Sequence, residues 1–134
     1  MAPPSVVPFD ASHLAGILAL CAAERWPSLA ADTERARRIL TAPTASTFVA
    51  VDDHEVIGFA LAIVDAGPLD AYLSMLAVAA SRRREGIARL LIAAIFRHTG
   101  VERIDLLAEP GSEAFYDSYP HRRFAGYRLY AQSR

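Results

Sequence analysis

The chain contains no lysine: all 14 of its basic residues are arginine. That absence removes Schiff-base and lysine-nucleophile mechanisms from consideration. Together with the abundance of alanine, it reads as the codon bias of a GC-rich bacterial genome. Cysteine is nearly absent as well. The single Cys21 cannot form an internal disulfide, and no Cys/His cluster has zinc-ligand spacing, so no metal is expected. Long apolar runs are also missing. Although 53% of residues are hydrophobic, no run approaches the roughly 18–20 apolar residues of a membrane span. The stretch Met1–Pro8 lacks the basic segment and apolar core of a signal peptide, which makes the cytoplasm the expected location. A net charge of −1 argues against a nucleic-acid binder, which usually carries a strong basic excess.

What remains is one ordinary domain over residues 1–134, without linker, repeat or low-complexity segment. Val6-Val7 reads as a short strand ended by Pro8. Asp10 or Ser12 caps a helix to about Arg25, with Leu14, Ile17, Leu18 and Cys21 on one face, and Trp26-Pro27 stops it. Asp32 or Thr33 caps a second helix that ends near Leu40. Thr47–Val51 and Val56–Val64 are β-prone runs joined by the hairpin turn Asp52–Glu55. Gly67-Pro68 makes the next turn, and Tyr72–Val78 is a third strand. A helix from Gly86 to about His98 closes at Gly100. Ile104–Ala108 is a further strand, Ser112 caps a short helix over Glu113–Tyr119, and Arg122–Tyr130 reads as a final strand. This order predicts a mixed α+β (α/β) domain.

The stretch Leu73–Ile92 carries the most information. A strand breaks at a turn crowded with Arg82, Arg83 and Arg84, contains Gly86, and restarts at once as an apolar helix. Such a turn presents unpaired backbone N–H groups at a helix N-terminus, a natural seat for phosphate. The run Ile87–Phe96 is apolar on nearly all sides, which marks it as core.

The spacing Arg83-Arg84-Glu85-Gly86-Ile87-Ala88, preceded by Leu76-Ala77-Val78 and followed downstream by Phe115-Tyr116, resembles the GNAT superfamily of acyl-CoA-dependent N-acetyltransferases. That family's signature is Gln/Arg-x-x-Gly-x-Gly/Ala between a strand and the following helix. The resemblance implies a central, mostly antiparallel twisted sheet of about six to seven strands flanked by about four helices, and acetyl-CoA as co-substrate, its pyrophosphate held by backbone amides from about Arg84 to Ala88. Gly86 and Ala88 would leave room for that approach, and Arg83 or Arg84 would add a charged contact. Leu76, Ala77 and Val78 would bind pantetheine by strand addition, and the Val78 N–H would polarise the thioester. Tyr116 would be the general acid for the departing thiolate.

Two departures from the family pattern concern the acceptor side. The strand before the motif has no carboxylate after Asp70 where the family often places a glutamate, and Pro120-His121 stands where Gly-Phe is usual. Glu109 is then either the base or a group that selects cationic substrates. Trp26, Leu29 and the second helix are candidates for the acceptor wall, and His121 for the substrate side. His54 and His98 read as exposed or structural. With no cysteine near the motif, direct attack in a ternary complex is expected on a small-molecule or peptide amine. A domain that binds acyl-CoA without turnover is the alternative. Nucleic acid and membrane are not expected partners, and an edge strand near the C-terminus is available for a homodimer.

Overall fold

The computed structural model describes residues 4–64 and 69–132, so the turn expected at Gly67-Pro68 lies outside the described residues. The elements run β1 (Ser5–Pro8), α1 (Leu14–Ala23), α2 (Pro27–Ala30), α3 (Thr33–Leu40), β2 (Ala45–Asp52), β3 (Glu55–Val64), β4 (Asp70–Val78), α4 (Ile87–Thr99), β5 (Arg103–Asp105) and α5 (Glu113–Asp117).

Local chemistry sets most of these boundaries. Asp10 takes the Ser12 N–H at 2.8 Å, and Asp32 takes the Arg35 N–H at 3.0 Å, each opening a helix. Asp53 and His54 both have positive φ, 49° and 66°, the two-residue turn that suits the twist of the β2–β3 hairpin. Trp26-Pro27 ends α1 as expected, but the proline also starts the single-turn α2, because its missing N–H is harmless at that position. Gly100, at φ 71°, closes α4 with its N–H on the Phe96 carbonyl at 3.0 Å.

The sheet order is β1-β2-β3-β4-β5, antiparallel except for the parallel β4–β5 pair. One face packs on α4, with Ile87, Leu91 and Ile95 fully buried. The other packs on α1–α3 around Ile17, Cys21, Leu40 and Phe59. Each buried leucine or isoleucine of this kind stabilises by about 1.5–3 kcal/mol. Leu90 and Phe96 on α4 are exposed, so the apolar run is core on its sheet-facing side only. No helix among the described residues is long and apolar enough to cross a membrane.

Three expectations are corrected. The sheet has five strands among the described residues, not six to seven, and the strand expected over Ile104–Ala108 contracts to Arg103–Asp105. Arg122–Tyr130 forms no strand; residues 120–132 are exposed and without regular structure. The reason is positional: this arm passes Leu107 at Gly126 and Glu109 at Arg128, beyond the end of β5, and makes no backbone ladder there among the described residues.

Candidate active site

The parallel pair β4–β5 is a fork. Its register holds only for Asp70↔Arg103, Ala71↔Ile104 and Tyr72↔Asp105, and beyond Tyr72 that edge of β4 has no strand partner among the described residues. A bulge sharpens the divergence: Ala62 opposes Leu73 and Leu61 opposes Met75, which leaves Ser74 unmatched. The extra residue shifts the alternation. Ala71 and Leu73 face α4 before it, Leu76 and Val78 after it, while Met75 and Ala77 turn toward α1–α3. The segment Leu76–Val78 therefore carries unpaired backbone groups into an open slot.

The loop at the end of the fork is held by side chains and leaves its amides free. Arg82 anchors it, donating to Asp52 at 2.9 Å and to both Glu85 oxygens at 3.1 Å. These partners raise the guanidinium pKa further, the hydrogen bond to Asp52 most. Arg83 pairs with Glu24 at the end of α1 and reaches the Val78 carbonyl at 3.4 Å. Arg84, at φ 65°, makes no ion pair among the described residues. Of the two arginines expected to meet phosphate, Arg84 is thus the free one. Gly86, at φ 81°, is the N-cap of α4, and no side chain caps the helix. The first amide to find a backbone acceptor is that of Leu90, on the Gly86 carbonyl at 3.1 Å. The N–H groups from Arg84 to Arg89 donate to no protein acceptor among the described residues. A Cβ added at Gly86 would meet nothing within 4 Å. Open space above unpaired amides at a helix N-terminus is the geometry an anion needs.

Tyr116, on α5, packs against the same α4-side cluster as Leu76 and Val78. Burial, and secondarily Tyr119, push its phenol above the ordinary tyrosine value. The short α5 is hung on α4 by Arg89. That guanidinium lies 4.6 Å from the Tyr119 ring centre and 5.5 Å from that of Phe115, and donates to the Ser118 hydroxyl. Phe115 meets Tyr116 edge-on at 5.0 Å. Ser112 does not cap α5 with its side chain; its hydroxyl donates to the Glu109 carbonyl at 2.7 Å instead. Nothing in the local sequence pointed to Arg89, because its aromatic partners lie on a different helix.

The acceptor-side expectations fare differently. Leu29 is buried in the α1–α3 core and Trp26 packs against the same cluster, so both are packing residues. Glu109 is exposed, 3.9 Å from Arg128. His121 turns back onto the Tyr119 carbonyl at 2.7 Å, His54 is an exposed turn residue, and His98 lies against the Phe48 ring at 4.9 Å. Sequence reading missed a shallow cleft of about 280 Å³ lined by Thr44, Ile63, Asp70, Ala71, Tyr72 and Asp105. It sits at the apex of the fork, since Tyr72↔Asp105 is the last pair before the strands part. Asp70 is neutralised there by Arg103 at 2.6 Å.

The acetyltransferase (GNAT) family model matches residues 12–119. No curated protein gives a significant sequence match. Solved structures with the same fold include a ribosomal-protein-alanine N-acetyltransferase from Brucella melitensis biovar Abortus 2308. It has a TM-score of 0.77 at 17% identity over 97% of this chain and 100% of that chain. The aminoglycoside N-acetyltransferase AAC(6')-Iy in complex with CoA gives 0.75 at 22% identity, over 96% and 99% of the two chains. An aminoglycoside acetyltransferase from an uncultured soil metagenomic sample, in complex with sisomicin, gives 0.73 at 18%, over 98% and 97%. At these identities the structures speak for the fold. The family match begins in the turn before α1 and ends just past α5, taking in every element that builds the fork, and the chain belongs to the acetyltransferase (GNAT) family.

Proposed function

We propose that the protein moves an acetyl group from acetyl-CoA to an amine by direct attack within a ternary complex. The observation that carries this reading is the uncapped N-terminus of α4, with Gly86 in the left-handed region, opening beside the unpaired Leu76–Val78 edge. The residues fit the donor. Amides from Arg84 to Ala88 suit a pyrophosphate, Arg84 supplies a free cation, and Leu76–Val78 offers strand-like hydrogen bonds to the pantetheine amides. Acetyl-CoA supplies a thioester whose carbonyl carbon is open to a neutral amine. CoA complexes among proteins of the same fold support the same assignment.

The amine nitrogen forms a bond to the thioester carbon, with the Val78 N–H donating to the carbonyl oxygen as negative charge gathers there. The carbon–sulfur bond then breaks, and Tyr116 gives its phenolic proton to the departing thiolate, regaining one from solvent. The raised pKa keeps that phenol protonated across the physiological range, the form a donor requires. An alkylamine with a pKa near 10 arrives mostly as the cation and gives one proton to bulk water before attack, and the nitrogen releases a second to water as the carbon–sulfur bond breaks and the amide forms. Glu109, an exposed carboxylate, and the acid-bearing cleft at the fork apex favour that cation near the site. Buried Cys21, its thiol raised to about 11, is not placed to carry an acyl group.

The test is release of free CoA thiol from acetyl-CoA with a panel of small and peptide amines. Wild-type protein should turn over at least one of them, and Tyr116→Phe should lose roughly 10²–10⁴ in kcat. Because burial holds the phenol above its ordinary value, Tyr116 should add no falling limb to the wild-type kcat profile across the neutral range. Tight CoA binding with no turnover on any amine would replace this reading with a non-catalytic acyl-CoA sensor. Unchanged kcat in Tyr116→Phe would remove Tyr116 from the mechanism.

A further inference from the structure

We infer that Glu24, at the end of α1, is a positioning residue for the transfer reaction: through Arg83 it holds the Val78–Ala79 peptide at the end of β4. The role rests on the donor placement proposed above, with the thioester oxygen at the Val78 N–H. The direction of that N–H follows from its neighbour. Ala79 donates its N–H to the Ile57 carbonyl on β3 at 2.8 Å. A trans peptide is planar, so the Val78 carbonyl of the same unit points the opposite way, off β3 and into the slot. Within a strand a residue's N–H and carbonyl lie on one side, which sends the Val78 N–H into the slot as well.

The Val78–Ala79 unit is held by β3 at its N–H end and by Arg83 at its carbonyl end, where Nε donates at 3.4 Å. The Arg83 side chain is itself exposed, and its long stem does not fix a direction alone. Glu24 does that by taking the far nitrogen of the same guanidinium. Its own base is rigid. Glu24, Arg25 and Trp26 return their N–H groups to the Leu20, Ala22 and Cys21 carbonyls at 3.0, 3.1 and 2.8 Å, and Arg25 turns the chain at φ 61°. Cys21 is buried and Trp26 packs on the same core, so the carboxylate stands on a fixed helix end. A charge-assisted bond from such a base is roughly twice as strong as a neutral one.

The pair is not required to hold the donor loop, because Arg82 already ties it to Asp52 and Glu85. It does not serve the phosphate either: Glu24 offsets the Arg83 charge, while Arg84 makes no ion pair among the described residues. What the pair reaches is the Val78 carbonyl. Oxyanion stabilisation depends on aim, since the donor has to lie about 2.7–3.1 Å from where the oxygen's charge develops. Releasing the carbonyl end frees the last residue of β4 and spreads its N–H over a range of directions.

Two readouts test the clamp: steady-state kinetics with acetyl-CoA and an amine the wild type accepts, and hydrogen exchange at the Ala79 amide by NMR. Glu24→Met keeps the stem and removes the carboxylate, and the variant should fold, because a partly exposed ion pair contributes little to stability. Its kcat should fall roughly tenfold, against about 10²–10³ for outright loss of an oxyanion donor, with KM for acetyl-CoA no higher than in the wild type. Ala79 exchange should quicken at least about threefold as the strand end loosens. Added to Arg83→Met, Glu24→Met should change neither quantity further, because Glu24 acts through Arg83. Unchanged Ala79 exchange in Glu24→Met overturns the clamp. An unaltered kcat, a raised KM with normal kcat, or a full Glu24→Met effect in the Arg83→Met background overturns it equally. A wild type without turnover refutes the transfer reading alone, and Ala79 exchange then decides the clamp by itself.

Discussion

Gly86 and Gly100 sit at opposite ends of α4 in nearly the same backbone state, (81°, 11°) and (71°, 11°), and a Cβ at either would meet no atom within 4 Å. Alanine at each position therefore carries the same conformational penalty and no steric one. A left-handed non-glycine residue costs roughly 1–2 kcal/mol, and the stiffer unfolded chain returns about 0.4–1 kcal/mol of that. Each variant should thus lose about 1 kcal/mol, which for a chain of this size lowers Tm by about 3–5 °C. The two variants differ only in what the open space is for. At Gly100 it faces solvent beyond the helix end. At Gly86 it is the approach to the free amides of Arg84–Ala88.

Isothermal titration with CoA separates these roles. Gly86→Ala should weaken binding by at least about tenfold, equivalent to about 1.4 kcal/mol, while Gly100→Ala should bind as the wild type does. Thermal shift gives an independent reading. Ligand at about 100 times Kd should stabilise wild type and Gly100→Ala by roughly 2.7 kcal/mol, and Gly86→Ala by clearly less at the same concentration. Equal Kd values for all three proteins would refute the placement of the donor at the α4 N-terminus. Equal weakening in both variants would show that helix stability, and not the cradle, controls binding.

Arg89→Met keeps the apolar stem but removes the cation over Tyr119 and the hydrogen bond to Ser118, interactions that hold α5 in place. It should lower kcat about two- to fivefold, in line with about 0.5–1 kcal/mol for an exposed cation–π contact, with KM for acetyl-CoA unchanged. A raised KM with normal kcat would reassign Arg89 to the donor. Cys21 should resist thiol reagents in the native protein and react in denaturant, since burial raises its thiol to about 11. The unfolded thiol ionises from about 9.0 upward while the folded one stays neutral to about 11. The unfolded state thus binds fewer protons across that window, and stability falls as pH rises through it. Cys21→Ala should show a shallower alkaline loss of Tm; an identical slope would show that the thiol is not responsible.

The features legible in the sequence are those fixed by neighbours a few residues away. Asp10 and Asp32 cap helices through amides two and three residues on, Asp53-His54 turns a hairpin on its own dihedral angles, and Gly100 stops α4 by adopting a left-handed cap. The features that misled depend on distant partners. Phe124–Tyr130 has the composition of a strand, but a strand exists only where another chain segment meets it, and β5 stops at Asp105. Arg83 looked free because its partner Glu24 lies 59 positions earlier. Leu29 looked like a pocket wall because its burial against the α1–α3 core is invisible from a segment of alternating small and apolar residues.

The same distinction separates the two halves of the site. A donor recognised by backbone amides constrains the chain locally: a residue at position 86 must accept positive φ, must not crowd the amides, and must follow a strand end directly. Those demands write themselves into consecutive residues, Arg83 to Ala88. An amine acceptor makes no such demand on the backbone. The groups at the fork apex come from the turn before β2 (Thr44), from β3 (Ile63), from β4 (Asp70, Tyr72) and from β5 (Asp105), and only the register of the sheet brings them together. Each is an ordinary residue in its own strand, and each can change without disturbing the donor cradle. On the proposed reading, with the acceptor at the fork apex, substrate choice can change while the Arg83–Ala88 loop stays fixed. It follows that a swap at Tyr72 or Asp105 should alter which amines are accepted and leave CoA affinity where it was.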